Sequence, residues 1–542
     1  ASTMRRDRFL LAATLAALFS ADFYFILLPK LQSRRHRAAN SCSCSPDSNL
    51  SLPRLETLAT PHLSNWTHAP LSSAATTPEV DDGGSKLQRL FSHPLYNIQT
   101  PELKPEEKLL QVKQLMEYYR RKVSHWERRK KLFEEAATLT NMSLMEQKMS
   151  YDPNASWLRF HLGINRYALY TRDDPAILQL LTDMQNMTIV GAVPDYTQDE
   201  KALKGACDCT QVVKPSGHHL KLALKMSNFG KAMFKPMSRQ QRDEETPGDF
   251  FYFVDFQRHN AEIAAFHLDR ILDFRRVPPV AGRRVNVSGE VLHVAHNEDL
   301  RAVFFTSPAN NTCFFAKCLY VCKTEYAVCG GPDLLEGSLS AYLPGLTVAP
   351  RLSIPNPWKR SYTFSGREEW EVNPFYCDSV KQAYPYNSGN RLLNIIDMSI
   401  FDFLIGNMDR HHYEIFTKFG DEGLLLHLDN ARGFGKHSHD EMSILAPLSQ
   451  CCMIKRSTLL RLQLLARPRF RLSDVMRESL DGDPLRPVLT EPHLLALDRR
   501  LQKVLRVVQR CVRRLGQDQV ITKDFTKPSE TPQRATQRED NR

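Results

Sequence analysis

Two loop carboxylates and a pair of lysines carry whatever chemistry this chain can do. Asp409 stands in Gly406-Asn407-Met408-Asp409-Arg410-His411-His412, after the apolar run Ile400 to Ile405, and Glu414 follows five residues later. Asp429 stands in His427-Leu428-Asp429-Asn430-Ala431-Arg432-Gly433, after the apolar run Leu424 to Leu426. Lys221 and Lys235 lie upstream. Phosphoryl transfer needs cations on the phosphates, carboxylates that hold metal ions and a group that orients the attacking hydroxyl. Each element alone is weak, because an Asp before an Arg in a loop is most often a cap or a surface ion pair. Their order is more specific: strand lysine, helix, loop Asp, then a strand ending in Asp. Two parts of that template are missing. No Gly-x-Gly-x-x-Gly phosphate loop precedes the lysines, only the single Gly230, and no His-Arg-Asp triplet surrounds Asp409. Glu414 also fills the slot where the template has a metal-binding Asn.

The elements that must position these groups are legible from periodicity. Leu220, Leu222, Leu224 and Met226 alternate with Lys221 and Lys225, Asn228-Phe229-Gly230 supplies a turn, and Ala232-Met233-Phe234 leads into Lys235. This predicts a β-hairpin with lysines on one face. Ile263, Phe266, Ile271 and Phe274 predict a helix across residues 261–274, and the remainder reads as mainly helical. The fold class is α+β, a small strand-rich part on a larger helical one. Upstream, Leu109, Val112, Met116, Tyr119, Val123, Trp126 and Phe133 form a helical stripe, with Lys130 in one expected slot. Such a stripe docks on the chain's own body or on a partner helix, and both readings stay open.

The chain has 542 residues, is 42% hydrophobic and 25% charged, and carries a net charge of +11. That is ordinary for a protein able to bury a core. The positive excess fits acidic or polyanionic partners, although a diffuse excess is usually a solvated surface. No nucleic-acid-binding signature is present. Arg5, Arg6 and Arg8 precede an apolar run from Phe9 to Leu28, which predicts a signal peptide or signal anchor over residues 1–28. Membrane contact is expected through that segment alone. Asn49, Asn65, Asn141, Asn154, Asn186, Asn286 and Asn310 each begin an Asn-x-Ser/Thr sequon. The twelve cysteines are an even number, and their spacing fits disulfides better than paired zinc ligands. Together these features predict the lumen of the ER and Golgi, and secretion. Residues 29–85 read as a flexible stem, 86–150 as an N-terminal helical segment with a dimer contact in view, 151–526 as the main domain, and 527–542 as a polar, disordered tail.

A family resemblance joins these pieces. Phe234-Lys235-Pro236-Met237, Asp249-Phe250-Phe251-Tyr252-Phe253, the stretch from Arg258 to Pro279, the stretch from Ile400 to Glu414 and His427-Leu428-Asp429-Asn430 resemble the secretory-pathway kinases called family with sequence similarity 20. The similarity runs from about residue 86 to 515 and is nearest to the family's pseudokinase branch. It implies an atypical two-lobed protein-kinase-like fold. It also implies that Lys221 and Lys235 face nucleotide phosphates, that Asp409 matches the catalytic base, that Glu414 lies near the nucleotide, and that Asp429 is a residual metal ligand. Ser340-Ala341-Tyr342-Leu343 would be the adenine hinge. The decisive departure is Gln257, where active members place a metal-binding Glu. Divalent metals beside ATP rely on anionic oxygens, so a neutral amide weakens that site and with it the stabilisation of the transferring phosphoryl group. Glu262 is no replacement, since active members carry it too. Ala431 replaces a Gly and would stiffen the turn if positive φ is needed there.

The resemblance further implies the disulfides Cys313–Cys329, Cys377–Cys451 and Cys452–Cys511, and suggests crossed bonds Cys207–Cys318 and Cys209–Cys322. The expectation is a pseudokinase that binds ATP without productive metal and allosterically activates an active family kinase, member C, as a heterodimer or heterotetramer, a homodimer being a further arrangement. That kinase would act on Ser-x-Glu sites of secreted, biomineralisation-related proteins. Two alternatives stand beside it: an active atypical Golgi Ser/Thr kinase, and a secreted matrix protein with a kinase-like scaffold.

Overall fold

The computed structural model describes most of residues 84–524; outside it lie 98–102, 141–148, 195–220, 316–323 and most of 238–257, with a few single positions. The signal run, the stem up to residue 83, the tail, Asn49, Asn65, Asn141, Gln257 and the cysteines expected to form crossed bonds all fall outside the described residues.

Strands β1 (Ile189–Pro194), β2 (Leu222–Met226), β3 (Lys231–Pro236) and β4 (Val280–Asn286) precede three short strands, β5 (Phe304–Thr306), β6 (Thr312–Phe314) and β7 (Val328–Cys329). Strand β8 (Leu334–Ala341) completes a five-stranded sheet of order β1-β2-β3-β8-β4, every pair antiparallel. The predicted hairpin forms. Leu222 pairs with Phe234 and Lys225 with Lys231, so the lysines share one face, while Leu222, Leu224 and Phe234 are fully buried on the other. Phe229 takes φ +67° in the turn. Gly230 is required by close approach: a Cβ there would meet Asn228 Oδ1 at 2.8 Å and the Trp157 ring at 3.0 Å.

Among the described residues the α-helices of six or more residues are α1 (Lys86–Phe91), α2 (Val112–Thr140), α3 (Ser156–Gly163), α4 (Pro175–Asn186), α5 (His259–Ile271), α6 (Arg391–Ile405), α7 (Ala446–Cys451), α8 (Arg456–Leu465), α9 (Leu472–Asp481) and α10 (Glu491–Leu515). Helix α5 is the one predicted over 261–274. Helix α6 is buried along its whole length and ends on Gly406 at φ +77°, a left-handed cap that turns the chain into the Asp409 loop. Strands β9 (Arg351–Pro355) and β10 (His412–Phe416) form a separate ribbon beside it.

The apolar stripe of α2 docks on the chain's own body. Tyr119 is fully buried against Tyr151, Trp157 and Phe229, its hydroxyl donates to the Asn228 carbonyl (3.1 Å), and Trp126 reaches the same Phe229 ring. Val112, expected in the stripe, is 62% exposed. The segment before α2 also bonds to the helical part, where Lys418 Nζ donates to the Leu109 carbonyl at 3.2 Å. Helix α1 sits on α9, with Lys86 Nζ 2.7 Å from Asp474.

Three disulfides lie among the described residues, Cys313–Cys329, Cys377–Cys451 and Cys452–Cys511, as the resemblance implies. Asn154, Asn186 and Asn310 are exposed, and Asn286 is half-buried with its Oδ1 accepting from Gly289 N (2.7 Å). Among the described residues no helix is long and apolar enough to cross a membrane.

Buried histidines set the acid sensitivity of this core. Burial holds His267 down at about 3, and His161 and His493 at about 4. Each takes up a proton on unfolding once pH drops below about 6.5, so its stabilisation is full above that value and is lost as pH falls toward the folded pKa. Asp269, pushed up to about 7 by burial, works the other way in the same window. The buried histidines outnumber the one raised carboxyl, so stability falls as pH drops below about 6. Urea midpoints measured between pH 6.5 and 5 should fall steadily; a flat profile would show these histidines to be hydrated.

Candidate functional site

The lysine of β3 is the centre of the site. Lys235 is 8% exposed, and its ammonium bonds to Glu262, in the first turn of α5, and to Asp429 Oδ1 at 2.8 Å. Burial alone would depress the ammonium; the two carboxylates overcome that and hold its pKa above the ordinary lysine value. Glu262 Oε1 also accepts from the Asn430 N–H at 3.1 Å, so one buried carboxylate ties the sheet, α5 and the Asp429 loop together. Asp429 itself is half open, with its side chain 52% exposed.

The positive φ of this loop falls on Asp429 (+56°), not on Ala431, which is fully buried and is absent from the positive-φ positions. Ala431 therefore does not stiffen the turn in the way expected, since no left-handed residue is needed there. The run Leu424 to Leu426 is not a strand either. It is buried, but pairs only through one bridge from Leu426 to Glu414, and the Leu424 amide donates to the Arg166 carbonyl.

Arg410 joins the two carboxylate loops. It makes a fork to Asp402 of α6 (2.8 and 3.0 Å), donates to Asn430 Oδ1 (2.6 Å) and bonds to the Leu428 carbonyl. Asp409 lies beyond it, with Arg432 Nε 3.1 Å from its carboxylate and the Tyr362 hydroxyl donating at 3.2 Å. A hydrogen bond to Asp409 raises the pKa of His411, which stands beside it.

Glu414 points elsewhere. Its carboxylate accepts from Arg351 Nε across the β9–β10 ribbon at 2.7 Å, and Arg351 also donates to the Pro344 carbonyl. Ser340 and Ala341 end β8, and Tyr342 and Leu343 lead from the sheet into the helical part. The Tyr342 backbone is already engaged: its N–H donates to the Lys231 carbonyl (3.2 Å), and its carbonyl lies 2.8 Å from His161 Nε2. Lys221 is half-buried, one residue before β2 and opposite Lys235 by extension of the register. The structure thus brings Lys235 and Asp429 together, sets Asp409 nearby, and diverts Glu414. Sequence reasoning missed Glu262 as the lysine's partner and Arg410 as the tie. The signal for Arg410 was its place next to Asp409, eight residues after a buried helical Asp.

Lys235 offers a fixed cation for phosphate. Of the acidic groups, Glu262 and Asp429 are both bound to Lys235 and Glu414 to Arg351, and Asp429 is the most exposed of the three. Among the described residues no cluster of three or more potential metal ligands forms.

Comparison with known proteins places the chain. The family model described as "Fam20C: Golgi casein kinase, C-terminal, Fam20" matches residues 155–520. The human protein named Pseudokinase FAM20A is 62% identical over 96% of this chain and 96% of its own length. The human Extracellular serine/threonine protein kinase FAM20C is 50% identical over 83% of this chain and 72% of its own length. A crystal structure of the Golgi casein kinase with Mn/ADP bound superposes with a TM-score of 0.63 at 37% identity, covering 69% of this chain and 85% of that one. The chain therefore belongs to the Fam20 family, and within it stands with the proteins named pseudokinases.

Proposed function

We propose that this chain is a secretory-pathway pseudokinase that binds ATP in the cleft beside Lys235 without productive metal and allosterically activates an active kinase of its family toward Ser-x-Glu sites of secreted proteins. The sheet with α5 serves as the smaller lobe and the part around α6 and α10 as the larger. The observation that carries the reading is the commitment of both spare carboxylates. An active enzyme would need Glu262 or Glu414 to make up for Gln257, and each is bound to a cation, Glu262 to Lys235 and Glu414 to Arg351. Nothing described around Lys235 supplies the missing charge, so metal would not neutralise the transferring phosphoryl group. ATP is then a ligand of the fold, stabilising it by mass action. Through a shift of population it would favour the competent state of a partner kinase.

The test uses purified protein, ATP and a Ser-x-Glu peptide, with Mn²⁺ or with EDTA. Wild type should transfer no phosphate yet melt several degrees higher with ATP in EDTA, and Gln257→Glu should gain metal dependence in the same melt. Adding the protein to an active family kinase should raise that kinase's rate. Turnover by wild type that Asp429→Ala abolishes would make the chain an enzyme. No thermal response to ATP would leave the scaffold reading.

A further inference from the structure

Helix α10 presents a row of cations on the side away from the core. Arg499, Lys503, Arg506, Arg510 and Arg513 recur at steps of four, three, four and three, which is one face of a helix. No Asp or Glu occurs between Arg499 and Leu515. The opposite face, including Leu497, Leu501, Val504 and Val508, is buried, and Cys511 anchors it through the bond to Cys452. At the upstream end Asp440 binds Arg499 and Lys503 at 2.7 and 2.8 Å. Arg506 and Arg510 are exposed and form no ion pair among the described residues.

A solvated helix face ordinarily mixes signs, and like charges four apart destabilise a helix. Cations in the last turn are favoured by the helix dipole, which accounts for Arg513 and Arg514 but not for Arg506, beyond that turn. The row rises about 21 Å from Arg499 to Arg513 at 1.5 Å per residue. We propose that this row is a docking ridge for a linear sulfated polysaccharide, bound along α10. A rod of closely spaced sulfates matches a rigid row of guanidinium groups, which fork onto such oxyanions. A folded protein partner would want an apolar centre, whereas Gln502 and Gln509 flank the middle of the row and the exposed Leu495 and Leu515 lie only beyond its ends. A membrane would have to take up the helix's apolar face, and that face is already in the core.

The experiment is chromatography of the full, disulfide-intact chain on immobilised heparin, with salt elution. Wild type should be retained at physiological salt. Arg506→Glu with Arg510→Glu should elute clearly earlier and bind on the order of tenfold or more weakly, with a shallower dependence on salt. Arg121→Glu with Arg128→Glu, the same charge change on α2, should shift elution far less. The α10 pair should leave the melting temperature unchanged; if it does not, Arg506→Gln with Arg510→Gln carries the comparison. Unchanged elution, an equal shift in the α2 pair, competition by polyglutamate as strong as by heparin, or a loss confined to phosphatidylserine vesicles would each overturn the proposal.

Discussion

Lys235→Met should lower stability by about 2 to 4 kcal/mol and abolish the thermal response to ATP. The change removes the cation between two carboxylates, one of them buried. Breaking a buried pair costs about 3 to 5 kcal/mol, because the remaining charge is left in a medium that solvates it poorly. Glu262, 4% exposed, accounts for most of that. The pair with Asp429 contributes less, since that side chain is half open and water screens it. Glu262→Gln alone should be milder, and the double variant should be less destabilised than the sum by at least about 1 kcal/mol. Equilibrium urea unfolding of the four proteins closes the cycle. Wild-type stability in Lys235→Met would mean that the buried pair does not form, and a retained ATP response would put the phosphates elsewhere.

Arg410→Ala should be as damaging, by about 3 to 5 kcal/mol, with a diagnostic pH dependence. The substitution strips Asp402, 2% exposed, of its fork and frees Asn430 and the Leu428 carbonyl at once. Burial already raises the Asp402 pKa in the presence of Arg410. Without the guanidinium the carboxyl should rise further and take up a proton in the folded state. A carboxyl raised in this way destabilises increasingly as pH climbs through its folded pKa. The deficit of Arg410→Ala relative to wild type should therefore be larger at pH 7 than at pH 5. Arg410→Lys should recover part of the loss, having the charge without the planar fork. A deficit independent of pH would show that water reaches Asp402.

The hairpin and α5 could be read in advance because their signals are local. Alternation from Leu222 to Met226, a Gly230 turn and apolar spacing from Ile263 need no knowledge of the rest of the chain. The partners of the carboxylates could not be read, because they come from far along the sequence. Glu414 meets Arg351 only once β9 and β10 pair, and Glu262 meets Lys235 only once α5 packs on the sheet. The left-handed residue was sought at Ala431 because glycine marks such positions, yet Asp429 adopts it. Short polar side chains tolerate that region. The run Leu424 to Leu426 had the composition of a strand but met β10 only at the single Leu426–Glu414 bridge, so burial came without a ladder. The α2 stripe left two outcomes open, and the ring of Phe229 at the tip of a distant turn decided where it docks.

Adjacent Cys451 and Cys452 place two covalent loops end to end, one closing at Cys377 and the other at Cys511. Between them they enclose α6, the Asp409 and Asp429 loops and most of α10. A protease that cuts the backbone once anywhere in this stretch outside the Cys451–Cys452 link therefore releases no fragment. The nicked chain stays one molecule until a reductant reaches it, so both carboxylate loops stay tethered through a single cleavage.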